Sequence, residues 1–250
     1  MNPYLRNLNR IEVLETLACT GRCKHCSEGD HTGFSAHVDG ARAAQAVAEI
    51  CGAYAIESLM VFGGEPLLWP EDVCAILKAG ADAGIPQREI ITNGYFSKDE
   101  KRIRAVAEKL AESGLLYILL SVDAFHQETI PLEPVLYFAQ CAKDTGIETR
   151  LTPAWLVSES DGNPYNVKTR QILELFTQRG FGIAAGNVIW PEGNARIYLK
   201  EYFDDTKEYK NPYEDDPEDL RAVSIEPDGT LLQGNIFRES TLEILENYRP

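Results

Sequence analysis

Between Thr16 and Cys26 the chain reads Thr-Leu-Ala-Cys-Thr-Gly-Arg-Cys-Lys-His-Cys, which puts Cys19, Cys23 and Cys26 at the spacing CxxxCxxC. Half of the six cysteines fall in this one stretch. Three thiolates on one short loop can hold three irons of a cubane cluster and leave the fourth iron open. Two other chemistries suit the same residues. Zinc would use the three cysteines with His31 or His37, and Cys23-Lys24-His25-Cys26 has the form of a redox dithiol. What the rest of the chain places around this loop decides among them.

The 250 residues suit one large α/β domain or two smaller ones, with ample core. No apolar run approaches the length of a membrane span, and the start, Met-Asn-Pro-Tyr-Leu-Arg-Asn, shows no signal-peptide core. The cysteines are too unevenly placed for a secreted disulfide framework, so the expected location is cytoplasmic. A net charge of −15 repels phosphate backbones and disfavours a general nucleic-acid grip. Nine acidic side chains between Glu201 and Asp219 face only Lys207 and Lys210. That stretch reads as an acidic linker or lid, or as a surface that greets a basic peptide.

Residues 11–17 alternate apolar and polar and predict a strand that runs into the cysteine loop. Helical spacing follows over 39–54, then a strand over 56–62 closed by Gly63-Gly64-Glu65-Pro66. A helix is expected over 70–83, a strand over 88–92 ending at Asn93-Gly94, and a helix over 98–113 stopped by Gly114. Strands over 115–122, 147–151 and 182–189 alternate with helices over 132–145 and 165–179. Six βα units imply a parallel sheet, and six strands are too few for an eight-strand closed barrel. The expected fold is therefore α/β, a partial (β/α)6 parallel barrel over residues 1–200. The acidic segment 201–219 and a C-terminal β-hairpin-plus-helix extension over 220–250 complete it. In the extension, two short strands flank Pro227-Asp228-Gly229, and Ser240 with Glu243 has capping-box spacing before a helix.

In a parallel sheet, ligands gather at the carboxyl ends of the strands. Strand one ends in the cysteine loop, strand two in Gly63-Gly64-Glu65-Pro66, strand three in Thr92-Asn93-Gly94, and strand four in Ser121-Val122-Asp123 followed by His126. Four polar motifs thus line one rim. Paired glycines admit close backbone approach, and Glu65 and Asp123 can accept from an amine or from hydroxyls. Trp155, Trp190 and Pro191-Glu192-Gly193-Asn194 follow strands five and six, so they face the same rim.

With these motifs in this order, residues 8–190 resemble the radical S-adenosylmethionine (SAM) superfamily. The resemblance implies one 4Fe–4S cluster on Cys19, Cys23 and Cys26, whose open iron takes the amino and carboxylate groups of SAM. It also implies a one-electron donor such as flavodoxin or ferredoxin, homolysis of the sulfonium, and a 5′-deoxyadenosyl radical that removes a hydrogen atom. It sets Gly63, Gly64 and Glu65 at the methionine amino group, Asn93, Ser121 and Asp123 at ribose or carboxylate contacts, and His25 near the adenine. Arg150 is a candidate partner for the SAM carboxylate or for a surface ion pair. His126 is a candidate for substrate contact or proton transfer, or for a helix-entry hydrogen bond. The tail resembles the extension of radical SAM peptide maturases, but Gln233 and Gly234 stand where an auxiliary-cluster cysteine is expected, and no cysteine follows Cys141. The implied substrate is a peptide or a small metabolite. The alternatives are a glycyl-radical-enzyme activase and a non-catalytic electron-transfer protein. Cys51, Cys74 and Cys141 read as small core hydrophobes.

Overall fold

The computed structural model describes every residue except Met1, Asp205, Lys210 and Pro212, the last three lying within the acidic segment. The chain runs β1 (Arg10–Thr16), α1 (Gly40–Ala53), β2 (Ser58–Gly63), α2 (Pro70–Asp82), β3 (Gln87–Thr92), α3 (Glu100–Glu112), β4 (Tyr117–Leu120), α4 (Leu132–Asp144) and β5 (Glu148–Leu151). It continues through β6 (Ala154–Trp155), α5 (Pro164–Thr177), β7 (Gly182–Ile183), β8 (Asn187–Val188) and α6 (Gly193–Tyr198). The tail holds β9 (Ala222–Ile225), β10 (Thr230–Leu231), β11 (Gly234–Asn235) and α7 (Thr241–Asn247).

Local chemistry explains the element starts. Asp39, Asp99 and Asn163 cap α1, α3 and α5 by accepting from Arg42, Lys101 and Asn166 backbone N–H groups. Proline opens α2 and α5, where its missing N–H costs nothing. Gly114 and Gly146 follow α3 and α4 in left-handed backbone, φ +84° and +87°, and turn the chain into the next strand.

The main sheet has the order β11-β10-β9-β1-β2-β3-β4-β5-β7. From β1 to β7 every pairing is parallel, so the carboxyl ends of six strands share one rim. This is the partial barrel expected, open between β7 and the tail. The hairpin joins the same sheet: β9 runs parallel to β1, with Arg10 opposite Ala222 and Val13 opposite Ile225. The extension is tied down from several sides. Arg42 of α1 donates to Ile236 O (2.8 Å) and Thr241 Oγ1 (3.0 Å), and Asn2 Nδ2 donates to Leu245 O and Tyr248 O, both at 2.8 Å.

The alternation along the strands divides the sheet into two faces. Ile11, Val13, Leu59, Val61, Ile90, Ile118, Leu120 and Leu151 pack with the helices into one core. The alternate residues, including Arg10, Glu12, Met60, Phe62, Glu89, Tyr117, Glu148 and Arg150, point to the barrel interior. A smaller core of Phe125, Ala154, Leu156, Ile189, Ala195 and Leu199 sits at the rim and holds α6.

Three expectations need correction. The strand expected over 182–189 is two, because Gly186 takes φ +72° and its neighbours turn away: β7 pairs with β5 and β8 pairs with β6 in a separate ladder. The strand expected over 115–122 pairs only over β4. Ser240 stands at the N-cap of α7 but makes no side-chain cap bond, so the capping box does not form. Among the described residues no helix is long and apolar enough to cross a membrane.

Candidate functional site

The cysteine loop leaves β1 and is gripped from two sides. On one side the Gly63-Gly64-Glu65 backbone runs against its base: Gly64 N–H donates to Thr16 O (2.7 Å) and Glu65 N–H to Ala18 O (2.9 Å). A Cβ on Gly63 would lie 2.3 Å from Thr16 O, and one on Gly64 would lie 2.3 Å from Ala18 O. The glycine pair therefore admits the chain's own cysteine loop. On the other side the start of α6 clasps the loop. Asn194 donates from its N–H to Cys26 O (2.9 Å) and from Nδ2 to Cys23 O (3.1 Å). A Cβ on Gly193 would lie 2.4 Å from Cys26 O.

The polar residues at the other strand ends meet this loop in different ways. Glu65 is fully buried and accepts from Leu67 N–H (3.0 Å), Thr92 Oγ1 (2.7 Å) and Asn93 N–H (2.9 Å), which joins the end of β2 to the end of β3. Burial pushes its carboxyl up to about 7, against the pull of these donors. Asn93 then reaches the loop itself, with Nδ2 3.5 Å from Cys19 Sγ and 3.2 Å from Thr20 Oγ1. Ser121 is half-buried beside them, its N–H donating to Thr92 O (2.9 Å).

Asp123 is wholly enclosed. Its Oδ1 accepts from Phe125 and His126 N–H (2.9 and 3.0 Å), and its Oδ2 accepts from Ala154 N–H (3.0 Å) and lies 2.8 Å from His126 Nδ1. Burial works against its charge, yet the His126 ring and these donors hold it well below the usual carboxylate range. For His126 burial is likewise outweighed, and Asp123 and Cys23 raise it well above its ordinary value. The segment 123–129 is a run of turns ahead of α4, so this i,i+3 pair forms within turns and not on a helix. The His25 ring stacks at a tilt on Phe125 (5.0 Å) and edge-on to His126 (4.9 Å), and burial lowers it to about 4, which leaves it neutral.

Arg150 stands apart from this group. It is half-exposed on the interior face, ion-paired to Glu148 Oε1 at 2.6 Å and lying over the Tyr117 ring. Trp155 is buried and donates to Ala185 O, whereas Trp190 lines a cavity of about 570 Å³ between β8 and the acidic segment, with its ring 5.8 Å from Tyr213. Cys141 is buried and Cys51 and Cys74 are half-buried against the core. Gln233 exchanges hydrogen bonds with the backbone of Arg249. Order along the chain put Gly193 and Asn194 at the rim, but their clasp on the cysteine loop had no signal in the sequence.

The family model described as the radical SAM superfamily matches residues 16–153, more than half of the chain. The chain belongs to the radical SAM superfamily. It is similar to the GTP 3′,8-cyclase of Moorella thermoacetica, 25% identical over 129 residues, 51% of this chain and 38% of that protein. It is also similar to a probable GTP 3′,8-cyclase of Methanocella arvoryzae, 28% identical over 130 residues with the same shares. The chain thus spans less than half the length of the curated relatives it matches. Among solved structures, native anSMEcpe with bound AdoMet superposes with a TM-score of 0.60 at 15% identity, covering 95% of this chain and 80% of that one. Streptococcus suis SuiB bound to precursor peptide SuiA gives 0.59 at 15% identity, covering 97% and 68%. At these identities the structures show a shared fold.

Membership in the radical SAM superfamily implies a 4Fe–4S cluster and SAM, and the residues present fit the cluster. All three loop cysteines are free thiols. Their sulfurs are not gathered on one point; the set that converges within 4.8 Å is Cys23, His25 and His126. Three thiolates on a single tetrahedral zinc would lie about 3.8 Å apart, whereas a cubane takes each thiolate at a different iron. Gly21 N–H and Asn93 Nδ2 aim at Cys19 Sγ from 3.3 and 3.5 Å, the kind of contact that tunes a cluster sulfur. Burial pushes the Cys19 thiol up to about 12, so a metal bound here would have to displace the thiol proton. His37, one of the two histidines open to a zinc site on this loop, is instead stacked on Trp69 and lies 3.0 Å from Asp72.

Proposed function

We propose that this chain is a radical SAM enzyme with a single 4Fe–4S cluster on Cys19, Cys23 and Cys26, acting on a peptide or a neutral or cationic small metabolite. When bound, the cluster and SAM supply a 5′-deoxyadenosyl radical that removes a hydrogen atom from the substrate. The residues of the chain position these groups. Gly63 and Gly64 let the loop base seat against the end of β2, Glu65 aligns the ends of β2 and β3, and Asn93 steers Cys19. Ser121 is left half-open for a ribose or carboxylate contact, while Asp123 fixes the turn that carries Phe125 and His126 against His25.

The observation that carries the substrate class is the charge of the barrel interior. Its strands present Glu12, Glu89 and Glu148 against Arg10 and Arg150, and each arginine is already paired with a glutamate of its own strand, at 2.7 and 2.6 Å. A triphosphate entering there would meet carboxylates and neutralised cations. This disfavours the GTP chemistry named for the curated relatives and supports a peptide of the sort bound in the SuiB structure. The hairpin paired to β1 and its cysteine-free course support one cluster, since Cys51, Cys74 and Cys141 lie on three separate helices. Anaerobic reconstitution tests the count. About four irons per chain are expected, lost in Cys19→Ala, Cys23→Ala or Cys26→Ala; about eight irons, or zinc without iron, would overturn the reading.

A further inference from the structure

On the opposite, helix-packed side of β1 lies a second cluster of ligand-type side chains. Glu15 follows Ile11 and Val13 in the alternation that faces the helices, where an apolar residue would continue the core. It is also the extra residue of a register shift, since Leu14 pairs with Phe62 and Thr16 with Gly63. Such a bulge re-aims a side chain. The Glu15 carboxylate is completely enclosed, and among the described residues neither of its oxygens has a hydrogen-bond partner. An unsatisfied buried carboxylate is costly, and proteins remedy it by protonation, by a cation or by metal coordination.

His37 and Asp72 complete the set. His37 bridges to Thr16 beside the bulge, and its ring is held flat on Trp69 at 4.7 Å. Its Nδ1 lies 3.0 Å from Asp72 Oδ2 and 3.9 Å from Glu15 Oε1, too far to satisfy the latter by a hydrogen bond. Asp72 sits in the first turn of α2, and Gly40 allows the close approach, since a Cβ there would fall 2.5 Å from the Asp72 Cα. Ligand atoms from all three residues lie within 4.8 Å of one another. Among the described residues, no lysine or arginine forms an ion pair with either carboxylate.

We propose that Glu15, His37 and Asp72 form a divalent transition-metal site of the zinc class, separate from the cysteine loop. Two ligand atoms on one tetrahedral zinc lie about 3.3 Å apart, and the observed separations of 3.0 and 3.9 Å bracket that value. Two carboxylates and a neutral imidazole cancel the charge of a divalent ion, and this mixed nitrogen and oxygen donor set suits zinc. An ion held at Nδ1 takes the His37 ring as its Nε2–H tautomer, so the ring stays neutral and the Nδ1 contact with Val38 O (3.0 Å) is given up. The partial exposure of His37 and Asp72 gives the ion an entry and leaves a position for water. The bound ion would fasten the end of β1 to the start of α2, immediately behind the cysteine and glycine loops.

The test uses the full chain, anaerobically reconstituted and treated with chelator, with Zn²⁺ added in competition with a chromogenic chelator. The expected result is one zinc per chain beyond the cluster iron, bound at micromolar affinity or tighter, with a rise in melting temperature. Glu15→Gln and His37→Asn should weaken zinc at least about tenfold and abolish the rise. Asp72→Asn, at a half-exposed position, gives the same reading if the Glu15 variant fails to fold. Absence of micromolar zinc binding, or binding unchanged in these variants, overturns the site. A Glu15→Gln chain that is more stable than its parent, with neither binding zinc, does so too.

Discussion

Asp123 uses both carboxylate oxygens within the chain, on three backbone N–H groups and the His126 ring. An amide in its place would set an N–H against those donors and leave His126 without its counter-charge. Asp123→Asn is therefore expected to cost about 3 kcal/mol or more in urea unfolding, the scale of breaking a buried pair. Glu65 makes a different statement. Its folded value of about 7 lies above the ordinary 4.5, so the folded chain keeps a proton that the unfolded chain releases between those values. That contribution is fully present below pH 4.5 and is lost as pH rises through about 7, in total about 3 kcal/mol. Unfolding midpoints across this window should fall with pH more steeply in the parent than in Glu65→Gln. Equal slopes would show that Glu65 titrates normally. The chemical type of these residues was legible from their place after β2 and β4. Their internal partners were not, because hydrogen bonds such as Glu65 to Asn93 join loops far apart in the chain.

At the scale of elements, the cysteine loop depends on a short helix that follows it by more than 160 residues. The start of α6 contributes the Gly193 backbone and both donors of Asn194 to the carbonyls of Cys23 and Cys26. Gly193→Ala would drive a Cβ to 2.3 Å from Ser27 O and push the loop aside. The variant should keep its circular dichroism spectrum yet lose iron to a chelator several-fold faster than the parent; equal rates would remove α6 from the account. Periodicity located the five long helices and the parallel strands because each buries one continuous face. It failed at 182–189, where Gly186 breaks one apolar run into strands that belong to different ladders. The capping box failed for a related reason: spacing allows a bond that the α7 start does not make.

Across the whole molecule, six parallel strands bring four loops to one rim, and β9 extends the sheet past β1 while leaving the barrel open at β7. The order of motifs along the chain made that rim readable, since a parallel sheet with right-handed crossovers returns every strand end to the same side. The interior charge could be read only once register set Arg10, Glu12, Glu89, Glu148 and Arg150 on one face. Together these features describe a radical SAM barrel, with the loop cysteines as the proposed ligands of its iron. The most direct test is 5′-deoxyadenosine formation by the anaerobically reconstituted chain with SAM and dithionite. The nucleoside is expected from the parent and not from Cys23→Ala. Its absence from a cluster-loaded, SAM-bound parent, or its formation without the loop cysteines, would contradict the account.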